Sequence, residues 1–135
     1  MRLTSFTDYG LRMLMVLAKQ PGESVSTAEL AEELQLPRNH LTKIMQHLAR
    51  AGIVQTRRGG GGGATLKQAP DQLRLGGLVR LLEEKQPLVE CFRPGGSDCI
   101  FAGCCGLKTR LRLAETAFLA DLDRSTLADI VPQPM

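Results

Sequence analysis

At 135 residues, 43% hydrophobic and 23% charged, the chain has the size and composition of one globular domain able to bury a core. It lacks the run of about 18 apolar residues that crosses a membrane. Its start, MRLTSFTDYG, also lacks the apolar stretch of a secretion signal, so a cytoplasmic protein is expected, where stable disulfides are rare. The net charge of +3 is uneven: residues 1–70 hold nine basic and five acidic residues, and residues 71–135 hold eight and nine.

SFTDYGLRMLMVLAKQ predicts a first helix, because Leu11, Leu14, Met15 and Leu17 recur at helical spacing and Pro21-Gly22 ends the run. Ser26 and Glu29 stand in the S-x-x-E relation of a capping box, and Val25 and Leu30 hold the positions of a hydrophobic staple. A second, short helix therefore starts there and stops near Leu34. In QLPRNHLTKIMQHLARAG, Pro37 suits a helix start, and Leu41, Ile44, Met45 and Leu48 form an apolar stripe. Arg38, Asn39, His40, Thr42, Lys43, Gln46 and His47 make the opposite face, and Gly52 suits the C-cap. Two short helices joined by Gln35-Leu36-Pro37 predict a helix-turn-helix. IVQTRR and ATLKQ predict two strands. The five glycines 59–63 between them are too many for a tight turn and predict a mobile tip. A helix-turn-helix followed by a β-hairpin is the winged-helix pattern.

After Pro70, LRLGGLVRLLEEKQP predicts a short extended piece, then a helix over residues 78–85 with Leu78, Val79, Leu81 and Leu82 on its apolar side. A cysteine-rich loop follows. GLKTRLRLAETAFLADLD is the longest helix candidate, with Leu107, Leu111, Ala114, Phe118 and Leu122 in a narrow stripe flanked by charges. Such a stripe suits a two-helix seam, so a dimerisation helix is expected. Ser125 is expected to cap a last short helix, TLADIV. The fold class expected is mainly α with a small β-hairpin wing. Residues 1–70 are expected to form the winged helix-turn-helix region, and residues 71–135 a cysteine-bearing loop and a dimerisation helix, in one compact domain overall.

Between residues 34 and 82 there are eight basic residues and one acid, Asp71. That excess favours a polyanion partner. The second helix of a helix-turn-helix enters the major groove with its N-terminal residues at base edges. Here these are Arg38, Asn39 and His40, with Thr42 and Lys43 one turn on. Arginine can pair with guanine, and asparagine with adenine. Arg57 and Arg58 would reach the adjacent minor groove or the phosphates. A merely solvated face explains polarity, but not this clustering at a helix start beside a basic wing. Double-stranded DNA is the expected partner.

All four cysteines lie in CFRPGGSDCIFAGCC, residues 91–105. The gaps of seven residues between Cys91 and Cys99 and four between Cys99 and Cys104 are looser than a usual zinc knuckle. A loop containing Pro94, Gly95, Gly96 and Gly103 has little apolar mass in which to bury inert thiols. An iron–sulfur cluster accepts wider spacing. Spacing thus favours a cluster and leaves zinc and redox thiols open. Enzyme chemistry is not expected: no C-x-x-C motif is present, and both histidines fall on the recognition helix, away from the cysteines.

MRLTSFTDYGLRML, PRNHLTKIMQHLARAG, the wing RRGGGGGATL, the cysteine loop and CGLKTRLRLAETAFLADLDRSTLADIV resemble the NsrR-type nitric-oxide-sensing repressors. These belong to the winged-helix superfamily that includes the iron–sulfur regulator IscR, and the likeness runs nearly end to end. It implies a homodimeric repressor with one [4Fe–4S] cluster per subunit, which leaves its pseudo-palindromic operator when nitric oxide attacks the cluster. It implies as ligands Cys91, Cys99, Cys105 and Asp8, the last from the partner subunit. Asp8 lies in the matching F-T-D motif, where the helix dipole also favours a carboxylate. The chain departs from the family pattern in its first gap, seven residues where five are usual. Cys104 and Cys105 are adjacent, so Cys104 is the alternative third thiolate; C-G-L-K matches the family's C-x-L-[KR] and selects Cys105. IscR-like sensors, which bind [2Fe–2S], place a histidine where this chain has Lys108. That favours the Asp8 ligand set and [4Fe–4S], with [2Fe–2S] the alternative. Sensing of iron or oxidative status, or a zinc-bound variant, remains open in the same DNA-binding frame.

Overall fold

The helices begin and end where local chemistry satisfies their free backbone groups. In this computed structural model, which describes residues 1–57 and 63–133, the order is α1 (Ser5–Lys19), α2 (Thr27–Leu34), α3 (Arg38–Arg50), β1 (Val54–Arg57), β2 (Gly63–Leu66), α4 (Leu75–Glu83), α5 (Gly106–Leu122) and α6 (Leu127–Ile130). Thr4 caps α1, its hydroxyl accepting the Thr7 N–H at 3.2 Å, and Ser26 caps α2 by accepting the Glu29 N–H at 3.1 Å. Gln35, at φ 54°, ends α2 in the left-handed conformation. Pro37 immediately precedes α3. Gly52, at φ 79°, ends α3 in a Schellman turn, with Gly52 N–H on the Ala49 carbonyl at 3.1 Å and Ile53 N–H on Leu48 at 3.0 Å.

The wing is an antiparallel pair with Val54 opposite Leu66 and Arg57 opposite Gly63. A third segment, which the sequence did not announce, joins it. Val25 and Ala64 exchange both backbone hydrogen bonds, at 3.0 and 2.8 Å. This fixes the wing to the entrance of α2. A Cβ at Gly63 would lie 2.6 Å from Ser24 Oγ and 2.8 Å from the Val25 backbone, so only glycine permits the approach. Within the described residues, β1 starts at Val54 rather than Ile53, and β2 ends at Leu66 rather than Gln68. Arg58 and the glycines 59–62 lie outside the described residues.

One core gathers Met13, Leu14 and Leu17 of α1, Leu30 of α2, Leu41, Ile44 and Leu48 of α3, Leu75, Leu78 and Leu82 of α4, and Leu127 of α6. The stripe predicted on α3 is its buried face. Two expectations are corrected here. Helix α4 begins at Leu75, three residues before the start expected at 78, with Gly76 and Gly77 inside its first turn. The reason is packing: a Cβ at Gly76 would collide with the Leu119 carbonyl oxygen and the Asp123 carboxylate, so the glycine lets α4 meet α5. Asp123 Oδ1 accepts the Gly77 N–H at 2.9 Å, satisfying a free donor of that turn. Thr126, not Ser125, caps α6, in a full capping box with Asp129.

Leu75 N–H donates to Ser125 O at 3.0 Å and Leu127 N–H to Leu73 O at 2.8 Å, pairing Arg74 with Thr126. Between them, α4 packs its Leu75, Leu78 and Leu82 into the core, and the cysteine loop runs from the end of α4 to the start of α5. Among the described residues, no helix is long and apolar enough to cross a membrane.

Candidate functional site

The first turn of α3 is held from below by Leu41, which is fully buried, while Arg38, Asn39, His40, Thr42 and Lys43 are all exposed. The burial of Leu41, Ile44 and Leu48 fixes the rotation of the helix and so aims these five side chains at solvent. Thr42 Oγ1 donates to the Arg38 carbonyl at 3.0 Å, so its hydroxyl serves the helix backbone. The His40 ring stacks near Tyr9 of α1, with centroids 6.4 Å apart. Arg57 is exposed at the end of β1.

His47 does not share this face, contrary to the expectation from sequence. It is half-buried: Nε2–H donates to the Leu81 carbonyl at 3.0 Å and lies 3.3 Å from Glu84 Oε1, and the ring meets Phe6 edge-on at 5.5 Å. Its position on the flank of the apolar stripe lets α4 cover it. Beside it, a groove of about 320 Å³ carries Lys43, Gln46, Arg50 and Lys85.

Asp8, in the first turn of α1, makes a two-bond ion pair with Arg12, at 3.0 and 2.9 Å, and the Arg12 guanidinium sits 5.7 Å from the Tyr9 ring centroid. The sequence reading missed Glu83, the last residue of α4. Its carboxylate accepts the Thr4 N–H at 3.2 Å and the hydroxyls of Thr4 and Thr7, and Thr7 is fully buried. This contact, rather than Asp8 alone, is what the two threonines of T-S-F-T-D-Y serve within the chain. No sequence periodicity could reveal a bond spanning 79 positions.

The cysteine loop carries four free thiols. Cys91 is half-buried in a short 3-10 turn, Cys99 and Cys104 are exposed, and Cys105 is half-buried immediately before α5. Cys104 Sγ donates to the Phe101 carbonyl at 3.5 Å. Arg112 of α5 lies over Phe92, 4.1 Å from the ring centroid, and ties the turn bearing Cys91 to the helix. Among the described residues, no three His, Cys, Asp or Glu side chains converge closely enough to hold a metal ion. The donor chemistry nevertheless fits an iron–sulfur cluster. The thiols are soft, and none is committed to a disulfide. Ile100 and Phe101 of the loop are 88% and 57% exposed. On α5, Leu107, Ala114 and Phe118 are exposed, and only Leu119, off the predicted stripe, is buried.

Comparison with known proteins gives a family match over residues 3–133, described as "Rrf2: Iron-dependent Transcriptional regulator". The chain is 42% identical over 132 residues to "HTH-type transcriptional regulator NsrR" of Bacillus subtilis, covering 97% of this chain and 90% of that protein. It is also 42% identical over 136 residues to "HTH-type transcriptional repressor NsrR" of Streptomyces coelicolor, covering 99% and 90%. Among solved structures, the oxidized form of CymR from Staphylococcus aureus superposes with a TM-score of 0.73 at 26% identity, covering 100% of this chain and 99% of that one. The IscR of T. potens, at 24% identity and TM-score 0.72, covers 96% and 85% and shares the fold.

Proposed function

The chain belongs to the Rrf2 family of transcriptional regulators, and from that premise we propose that it is a homodimeric repressor that senses nitric oxide through a [4Fe–4S] cluster. The observation that carries this reading is that all four free thiols sit in one loop directly ahead of α5, whose apolar stripe the chain's own core leaves largely uncovered. The family is one of regulators, not enzymes.

Cys91, Cys99 and Cys105 would hold the cluster together with Asp8 of the partner subunit, and Cys104 stands next to the third thiolate. When bound, the cluster supplies an iron centre open to attack by nitric oxide. Asp8 is the one oxygen donor of the set. Its ion pair with Arg12 is half-exposed and spaced i,i+4, a kind of pair worth only about 0.3–0.5 kcal/mol, so the carboxylate can leave Arg12 at little cost. Arg38, Asn39, His40, Thr42 and Lys43 read the major groove, and Arg57 and Arg58 bind the flanking backbone or minor groove. Two copies joined along α5 present two such faces to a pseudo-palindromic operator.

Anaerobic purification should give a brown protein with about four irons and four sulfides per chain. Titration with nitric oxide should then abolish operator binding in step with loss of the visible absorbance. Holo-protein that keeps its operator affinity as the absorbance disappears would rule out nitric-oxide coupling. The description of the family as iron-dependent favours a second reading, in which iron supply is the signal. In that case affinity follows iron loading and ignores nitric oxide.

A further inference from the structure

Three helices meet at the last turn of α4, residues 81–84. From α1 come Thr4, which caps it, and Thr7, both bonded to Glu83, and Phe6, edge-on to His47. From α3, the recognition helix, comes His47, bonded to the Leu81 carbonyl at 3.0 Å and 3.3 Å from Glu84. The same turn continues directly into the segment that reaches Cys91, eight positions after Glu83. Asp8 follows Thr7 on α1, with its own N–H on the Thr4 carbonyl at 3.0 Å.

We propose that this turn is the joint through which the cysteine loop acts on the recognition helix, with Glu83 and His47 as its positioning residues. The inference rests on the preceding reading and adds the route. The contacts are partly buried, and Glu84 stands at their exposed edge. The Thr7 side chain is fully buried and the His47 side chain is 17% exposed. A buried donor that loses its acceptor is costly, so the contacts hold or break together rather than stretching. A displacement of the loop base therefore reaches α1 through Glu83 and α3 through His47 as one movement. In a dimer whose clusters each borrow Asp8 of the partner subunit, the same Glu83 contact links the two sites. The Asp8-bearing turn of each chain is bolted to the base of that chain's own cysteine loop.

The test compares operator affinity before and after nitric oxide in anaerobic holo-protein. The wild type should lose between about 5- and 150-fold, the usual span of allosteric coupling. Glu83→Gln replaces one of the two acceptor oxygens that Thr4 and Thr7 use with a donor, and His47→Leu removes the bond to Leu81. Both variants should take up the cluster with unchanged absorbance and cut that ratio about tenfold or to unity. His47→Gln, which keeps a donor in place, should restore it. In the cluster-free protein, amide exchange across the first turn of α1 should quicken in Glu83→Gln. If Glu83→Gln does not fold, Thr7→Val, which keeps the shape and removes one donor, takes its place. A ratio unchanged in folded variants overturns the joint, as does an equal loss of affinity in both states. A wild type with no ratio at all sinks the proposed function and the joint with it, whereas a wild-type ratio that survives in the variants sinks the joint alone.

Discussion

Arg38 opens α3 with its side chain in solvent, and no protein partner competes for it among the described residues. Arg38→Ala should weaken operator binding by about 1–3 kcal/mol and relax preference at one base position. Arg57→Ala should weaken all sequences alike and flatten the salt dependence by about one unit of slope. Shift assays across a salt series separate the two. Gly76 and Gly77 make a second pair with opposite outcomes. Gly76→Ala drives a methyl into α5 and should lower stability by about 1–3 kcal/mol. Gly77 has open space around its missing Cβ, so Gly77→Ala should raise stability by about 0.5–1 kcal/mol. Urea midpoints of the two variants should move in opposite directions. The pair also shows what a sequence hides at this scale. Glycine disfavours helix locally, so the helix start was placed beyond both residues; the close approach of α5 overrides that preference and is visible only in three dimensions.

Helices with a strong apolar stripe were legible. On α3, Leu41, Ile44, Met45 and Leu48 are the buried side as their spacing predicts. His47, on the flank of that stripe, was not, because whether a flank is solvent or interface depends on which helix arrives beside it. The short pairing of Val25 with Ala64 was equally hidden, since a single residue carries no period. Helix α5 is the reverse case: its stripe was plain in sequence, and the chain leaves Leu107 65% and Phe118 37% exposed. A face of this kind asks for a partner. Replacing Leu107 and Phe118 together by Glu should convert dimer to monomer in sedimentation experiments. The thermal midpoint of the remaining fold should move little, because Leu119 is buried and Leu122 packs on the core, whereas the two replaced residues are exposed.

At the level of the whole molecule, the winged helix-turn-helix followed from local signals: caps, the proline before α3 and the glycines around the wing. The union of the two ends of the chain did not. Leu127 enters a core built mainly from the first helices, and Glu83 reaches the cap of α1; such contacts between distant positions leave no mark on neighbouring residues. For the candidate site, the sequence names thiols and a carboxylate as donors, and one chain does not bring Asp8 to the thiols; the proposed assembly of two chains would. Asp8→Ala provides the test at this scale. It should perturb the absorbance of a cluster bound through the carboxylate, and a Cys-only site would be indifferent to it.

The position of the cysteine loop between α4 and α5 gives it licence to change. The loop leaves from the end of α4, which is packed in the core, and returns at the start of α5, so residues added within it need not disturb the buried positions of either helix. Two extra residues between Cys91 and Cys99 cost only about a tenth of a kcal/mol in closure entropy. Variation in the loop is thus separated from the helices that present the DNA-reading face.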